Sequence, residues 1–359
     1  MKIAVLGVGL IGGSIGLAAR RRLDAAVVGW GRSPERLQRA VELGAIDRAA
    51  GSLAEACEGA DLVFCCAPVA ALPEQAREAL AAAGPETAVT DVGSTKGELV
   101  AAVGGDERFI GGHPLAGAET AGVENAREDL FEGARWYLTP TDQASGVLYD
   151  RLQRAVSALG ARPQAIDPGS HDRLMATVSH LPHVLANALA SEAAESLTQD
   201  SERLPDVGPS FRDATRVAGS NPAIWADIFA GNREAVAHSV DSVAERLRQA
   251  AELIRSGDRE ALAAWHGAAG EDRRRLLERE SEAGPLRELR IVVANRPGTI
   301  AELALALGEA GVNIEDMALY PAPDMTSGAV SVWVAGDEQA AKAEELVRRL
   351  GHTVTVVNE

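Results

Sequence analysis

His113 lies in the run Gly111-Gly112-His113-Pro114-Leu115-Ala116-Gly117-Ala118-Glu119, where small neighbours leave an imidazole room to face a ligand. A ring that titrates near neutrality can take a hydroxyl proton while a hydride leaves the same carbon. Ser94, in Asp91-Val92-Gly93-Ser94-Thr95-Lys96, is placed to orient that imidazole or the reacting hydroxyl. The plain alternative is a structural histidine packed in a glycine-rich turn.

A second chemical signal stands at the start of the chain, Gly7-Val8-Gly9-Leu10-Ile11-Gly12. Between a strand and a helix this spacing makes a dinucleotide site. Gly7 permits the tight turn, Gly9 carries nothing to block a pyrophosphate, and Gly12 lets the helix pack close to the sheet. The free helix-end amides, Leu10 and Ile11 among them, then face the anion. An NAD site usually has Asp or Glu some 20 residues on, to hold the ribose diol. Nineteen residues past Gly12 stands Gly31 instead, followed by Arg32 and Ser33. Arg32 can pair with a 2′-phosphate and Ser33 can donate to it, so NADP is expected to be preferred over NAD or used beside it. A solvated Arg32 is the alternative.

Three blocks must position these residues. Residues 1–166 alternate apolar runs with helical stretches, the pattern of an α/β Rossmann domain with a doubly wound parallel sheet. Strands are expected at Ile3–Leu6, Ala26–Trp30, Leu62–Ala67, Ala88–Asp91, Arg108–Gly111 and Arg135–Leu138. Ser33 before Pro34 predicts a helix start. Ser52 with Glu55 and Thr95 with Glu98 predict capping boxes. Residues 167–282 repeat apolar positions at helical spacing (Leu174, Val178, Leu181, Leu185; Val236, Val240, Val243, Leu247) and predict an all-helical substrate and dimerisation domain. Pro182 falls inside one such helix and predicts a local break. After the linker-like Glu282-Ala283-Gly284-Pro285, residues 287–359 read as β-α-β-β-α-β, a ferredoxin-like unit with its hairpin turn between Tyr320 and Ser327.

Composition narrows the class. Hydrophobic residues make up 46% and charged residues 24%, the balance of a packed chain and not a disordered one. A net charge of −17 repels phosphate backbones and anionic lipid, so neither nucleic-acid nor membrane partners are expected. No apolar run reaches the ~20 residues of a membrane span and no signal peptide is evident, so a cytoplasmic protein is expected. Cys57, Cys65 and Cys66 are too few for a disulfide framework, and the adjacent pair reads as buried thiols. The only lysines are Lys2, Lys96 and Lys342, which disfavours dehydrogenases that use a lysine from a helical second domain.

Over nearly its whole length the sequence resembles the prephenate dehydrogenases of the TyrA family. The segments that carry the resemblance are Gly7 to Ser14, Asp91 to Lys96, Gly111 to Gly117, Trp136-Tyr137-Leu138-Thr139-Pro140, Ser179-His180-Leu181-Pro182-His183, and Phe211-Arg212-Asp213-Ala214-Thr215-Arg216 with Trp225-Ala226-Asp227-Ile228. The resemblance implies NAD(P)-dependent oxidative decarboxylation of prephenate to 4-hydroxyphenylpyruvate, in tyrosine biosynthesis. It implies that His113 is the catalytic histidine with Ser94 its neighbour, on the cofactor side as well. It further implies that Arg216 binds a substrate carboxylate and that His183 contacts the substrate. The chemistry agrees, because a diacid in an acidic protein needs a fixed cation and a guanidinium offers a bidentate fork.

Blander readings stand beside these. Arg216 is three residues from Asp213, at the spacing of a surface ion pair, and Asp213 equally serves to hold it in place. His183 is otherwise a satisfied core histidine. His180 and His183 lack a third and fourth ligand nearby, so no metal is expected. Trp225 walls the pocket or packs the core, and Glu119 shapes the surroundings of His113 or is simply solvated. Ala118 stands where many relatives carry Ser or Thr, which leaves arogenate dehydrogenase as the runner-up. A non-catalytic nucleotide-sensing regulator is the alternative from another class. The last block resembles an ACT regulatory domain, with Thr299 and Glu302 as a capping box and with Gly311 and Asn313 at an effector site. That resemblance implies feedback by tyrosine or a related aromatic amino acid; a purely structural dimerisation module is the alternative. A homodimer is expected.

Overall fold

The computed structural model describes residues 1–117, 120–198, 207–277, 286–294, 296, 298–321 and 327–357. They divide into two compact units, Met1–Arg246 and Leu247–Glu359.

The first unit opens with β1 (Lys2–Leu6), α1 (Leu10–Leu23), β2 (Ala26–Trp30), α2 (Pro34–Glu42), β3 (Arg48–Ala49), α3 (Leu53–Cys57), β4 (Leu62–Cys65), α4 (Leu72–Ala82), β5 (Ala88–Asp91) and α5 (Gly97–Ala102). The strands form one sheet in the order β3-β2-β1-β4-β5, every pair parallel. Both faces are covered, as a parallel sheet requires. Along β1, Ile3 and Val5 pack into one core with Ile15 of α1, while Ala4 and Leu6 pack into the other with Leu53 and Ala76. The crossover from β1 to both β2 and β4 makes the carboxyl end of β1 the switch point where ligands bind.

The rest of the expected parallel sheet departs from it. Residues 108–110 run beside β5 only through a single bridge between Val89 and Phe109. The chain then peels away as β6 (Gly111–Pro114), which pairs antiparallel with β7 (Arg135–Thr139), and β7 pairs parallel with β8 (Arg162–Ala165). The strand expected at Arg108–Gly111 is therefore shifted by three residues. The physical reason lies in the side chain of Asp91, whose Oδ1 accepts from Gly112 N at 2.9 Å and draws the chain off the sheet edge. β8, with its Pro163 and mostly exposed residues, was not expected from the apolar pattern.

α6 (Gly146–Ala158) closes this region against the first core. α7 (Pro168–Met175), a π-turn (Ala176–His180), α8 (Leu181–Thr198), α9 (Pro209–Thr215), a 3-10 turn (Arg216–Gly219), α10 (Pro222–Gly231), α11 (Arg233–Ser256) and α12 (Arg259–Leu277) follow. Described residues between 167 and 277 contain no strand, as the sequence predicts. The break predicted by Pro182 is the π-turn. There, Leu181 N donates to Ala176 O, one residue further back than in an α-helix. Among the described residues, no helix is long and apolar enough to cross a membrane.

In the second unit, β9 (Leu286–Ala294), α13 (Thr299–Glu309), β10 (Asp316–Pro321), β11 (Ser327–Ala335), α14 (Asp337–Arg349) and β12 (Thr353–Val357) build an antiparallel sheet in the order β10-β11-β9-β12. Leu289, Ile291 and Val293 on β9 meet Leu303, Leu307 and Val347 in a core of their own. Tyr320 lies on strand β10, opposite Ala329, so the hairpin connection is shorter than expected; residues 322–326 and the linker at 282–285 lie outside the described residues.

Two of the four predicted helix starts form as expected. Ser33 caps α2 by accepting from Arg36 N at 3.3 Å, and Ser52 caps α3 by accepting from Glu55 N at 3.1 Å. Thr95 caps nothing: α5 begins after Lys96, and a remote side chain caps it. Thr299 is not a cap either. Gly298 precedes the helix, and the buried Thr299 hydroxyl has no hydrogen-bond partner among the described residues. Cys57 and Cys65 are buried but Cys66 is only half-buried. Burial pushes the Cys57 thiol up to about 11, and those of Cys65 and Cys66 still higher, so all stay protonated and unreactive.

Candidate active site

The nucleotide turn is built from backbone. Gly7 has φ +111°, and a Cβ there would lie 2.7 Å from the carbonyl oxygen of Cys66, just past β4. A Cβ on Gly12 would collide with the Gly7 carbonyl oxygen, so only glycine lets α1 start this close to the turn. Gly9 is the N-cap of α1 with no side-chain bond to the first amides, and a Cβ there would meet open space. Leu10 and Ile11 are half-buried and pack on the core below. Unspent amides above an open floor fit a dinucleotide pyrophosphate. At the end of β2, Gly31 is not required by packing, since a Cβ would meet only Leu37 at 3.8 Å. Arg32 is exposed, and Ser33, although a cap, keeps its hydroxyl proton to donate.

The histidine site is built from side chains. Asp91, at the end of β5, is fully buried and pairs with the equally buried Lys96. Its Oδ2 also takes Gly93 N at 2.7 Å, and Lys96 Nζ donates to Gly112 O at 2.7 Å. This buried pair pins β5 to β6 one residue before His113. Burial lowers the Lys96 amine from its ordinary value, while Asp91 opposes that shift.

His113 lies on β6 itself, opposite Tyr137, and not in the loop beyond. Its Nδ1 meets His171 Nε2 at 2.9 Å, so the partner of the imidazole is His171 and not Ser94. Ser94 is half-buried in the loop that leads to α5. His171 Nδ1 in turn meets Asp172 Oδ1 at 2.8 Å. The same carboxylate caps α5 through Lys96 N at 2.8 Å and Gly97 N at 2.7 Å, from 76 and 75 residues away. Burial drives the His113 imidazole well below the ordinary range, and His171, Lys96 and His180 push the same way, so the ring is a neutral base at pH 7.

Sequence reasoning missed His171, Asp172 and Asn232. The available signal was a His-Asp pair beside a proline-led helix start, Asp167-Pro168. Asn232 donates to Asp172 O at 2.8 Å and meets His180 Nδ1 at 3.2 Å. His180 is buried and held neutral, its value lowered to about 4 mainly by burial.

A second cluster gathers expected substrate residues. His183 stacks on Trp225, with ring centres 3.4 Å apart and planes at 25°. Trp225 is half-buried and also meets His180 edge-on at 6.0 Å. Burial and the neighbouring Arg216 guanidinium both lower His183, against a hydrogen bond to the Val217 backbone. Arg216 is exposed at the start of the 3-10 turn, where its N–H donates to Asp213 O. His180, Trp225, His183 and Arg216 thus follow one another as neighbours. Glu119 and Ala118 lie outside the described residues. In the second unit Gly311 turns with φ +72°, and Asn313 Nδ2 donates to Glu315 at 2.6 Å.

Comparison with known proteins gives one direction. Residues 15–164 match the model of the prephenate dehydrogenase nucleotide-binding domain, and residues 167–267 match that of the prephenate dehydrogenase dimerization domain. A prephenate dehydrogenase of Bacillus subtilis is 30% identical across 96% of this chain and 95% of its own. The crystal structure of prephenate dehydrogenase from A. aeolicus, in complex with hydroxyphenyl propionate and NAD+, superposes with a TM-score of 0.71 at 32% identity, covering 77% of this chain and 98% of that one. The arogenate dehydrogenase of Synechocystis superposes with a TM-score of 0.69 at 29% identity, over 77% of this chain and 100% of that one.

Proposed function

Because this chain belongs to the prephenate dehydrogenase family, we propose that it is an NAD(P)-dependent oxidoreductase that converts prephenate to 4-hydroxyphenylpyruvate and CO2. One observation carries the reading: a neutral imidazole has one nitrogen engaged by His171, in a chain whose first strand runs into an open backbone anion cradle. The oxidised nicotinamide, when bound, supplies the hydride acceptor. The chain supplies the rest. The α1 amides hold the pyrophosphate and Ser94 orients the reacting end. His113 Nε2 takes the proton of the ring hydroxyl. The hydride leaves the carbon bearing that hydroxyl, the bond to the ring carboxylate breaks into the ring, and aromatisation drives the loss of CO2. Arg216, with Asp213 behind it, binds a carboxylate of the substrate, and His183 with Trp225 forms the pocket wall.

Arg32 and Ser33 favour NADP, since no carboxylate at position 31 repels a 2′-phosphate. The deciding experiment crosses prephenate and arogenate with NAD+ and NADP+ and follows the absorbance of the reduced nicotinamide. The fastest reaction is expected with prephenate, and NADP+ is expected to match or exceed NAD+. A rate confined to arogenate would make the chain an arogenate dehydrogenase, and no reduction with either substrate would defeat the reading.

The helical region carries exposed apolar side chains, Val178, Leu185, Leu189 and Ile224, suited to a homodimer contact. The βαββαβ unit is read as a ferredoxin-like ACT domain. Its candidate effector residues, Gly311 and Asn313, turn beside a helix whose buried Thr299 hydroxyl lacks a partner among the described residues. Tyrosine inhibition of the full chain that is lost in Asn313→Ala would support that assignment.

A further inference from the structure

We propose that His171, held by Asp172, is a positioning residue: it fixes the His113 tautomer that leaves Nε2 as the base, and it stabilises the imidazolium once the substrate proton has moved. This rests on the function proposed above and adds to it residues that lie behind the reacting atoms.

The proton positions follow from counting donors. Asp172 accepts from Lys96 N, Gly97 N and His171 Nδ1, so it acts as an ionised, acceptor-only carboxylate. His171 Nδ1 must therefore donate. With one proton on the ring, His171 Nε2 is an acceptor, and at 2.9 Å it can accept only from His113 Nδ1–H. The lone pair of His113 is then at Nε2, on the far side of the ring from His171.

A purely structural His171 would need only the bond to Asp172. The second, ring-to-ring bond has no packing reason, because Tyr137 already meets the buried His171 ring edge-on at 5.7 Å. The geometry instead matches the logic of a base held in one tautomer by a buried acid behind it. In the reaction the hydroxyl proton moves to His113 Nε2, and the O–H electron pair becomes the carbonyl bond as the hydride departs. The new cation keeps Nδ1–H donating to His171, whose own Nδ1–H donates to Asp172. Net charge in the chain rises by one, beside a carboxylate placed to receive it.

The charged and titratable groups that face His113 are His171 from α7, Lys96 from the loop before α5, His180 from the π-turn and Tyr137 from β7. Lys96 is matched by Asp91, so Asp172 is the anion left to stabilise the imidazolium.

The test compares His171→Leu and His171→Gln with the wild-type holoenzyme across pH. Glutamine can still accept from His113 Nδ1–H; leucine cannot. We expect His171→Leu to lower kcat roughly 100-fold, with KM for prephenate and Kd for the dinucleotide unchanged. Without its acceptor the imidazolium is less stable, so the acid limb of kcat should move to lower pH. His171→Gln should recover most of the loss. A lowered kcat with an unmoved acid limb, or equal losses in both variants, would overturn the relay. So would a His171→Leu enzyme with full kcat. In each of those cases a wild-type enzyme that turns over prephenate leaves the proposed function standing, whereas an inactive wild-type enzyme defeats that function itself.

Discussion

The nucleotide turn after β1 and the histidine site after β5 both follow strands of one parallel sheet but are made of opposite materials. The turn after β1 is a stretch of neighbouring backbone, with an open floor at Gly9 and no titratable side chain among Gly7–Gly12. The site after β5 is a side-chain network. Asp91, Lys96, His113, His171, Asp172, His180 and Asn232 come from segments up to 141 residues apart and bond to one another in the interior. The first offers an anion fixed dipoles, with no protonation state to manage. The second offers a proton an acceptor, a defined tautomer and a buried counter-charge. Under the proposed function, binding and chemistry are therefore expected to be separable by substitution.

The largest effect expected is on chemistry alone. His113→Asn should lower kcat with prephenate by roughly 1,000-fold, the scale of a lost general base. The dinucleotide Kd, read by fluorescence titration with reduced cofactor, should not change. A parallel loss of binding would mean that the two regions are one site. The converse substitution is Gly12→Val. Its side chain would collide with the Gly7 carbonyl and with Val5, pushing α1 away from the turn. Dinucleotide affinity should fall roughly 100-fold, about 2.7 kcal/mol. The buried Asp91–Lys96 pair, read by hydrogen exchange at Gly93 and Gly112, should stay protected.

The same contrast explains what was legible in the sequence. The turn is contiguous, and its conformation follows from which positions lack a side chain, so the local geometry of Gly7 to Gly12 could be read directly. The β-α-β-β-α-β order of the last block was equally plain from period and punctuation. The histidine site was legible only in part. His113 stood out because small residues flank it, but its partner lies 58 residues on. The cap of α5 was assigned to Thr95 because capping boxes are local patterns; the real cap, Asp172, is supplied by tertiary contact. The strand at 108–111 failed for the same reason. A buried carboxylate on the previous strand takes Gly112 N and redirects the chain, an interaction that no apolar periodicity records.

Asp172 offers a smaller test, on stability. Its carboxylate satisfies two α5 amides and one His171 N–H, all in a buried setting. Asp172→Ala removes a helix cap and leaves those donors unpaired, at a cost of about 3 kcal/mol. Urea unfolding should show the loss, and hydrogen exchange should locate it in Gly97–Ala102. Exchange that speeds up equally throughout the first unit would mean that Asp172 supports the whole unit and not this junction.

The last and smallest effect separates the regions by pH. His180 is lowered to about 4 by burial, and His113 and His183 are lowered as well. In the unfolded chain these rings return to about 6.5. Above that pH, folded and unfolded states bind the same protons at these rings, and their contribution to stability is complete. As pH falls from 6.5 towards 4, the unfolded chain gains a proton at His180 that the folded chain refuses, so stability drops by up to ~1.4 kcal/mol per pH unit from that ring, and the lowered His113 and His183 act in the same direction. The midpoint of thermal unfolding should accordingly fall between pH 7 and pH 5. Under the proposed function, affinity for NAD+ rests on backbone amides at a turn with nothing to titrate and should stay level over the same interval while the protein remains folded. A midpoint that holds steady to pH 5 would mean the folded rings accept protons, and the neutral base assigned to His113 would lose its support.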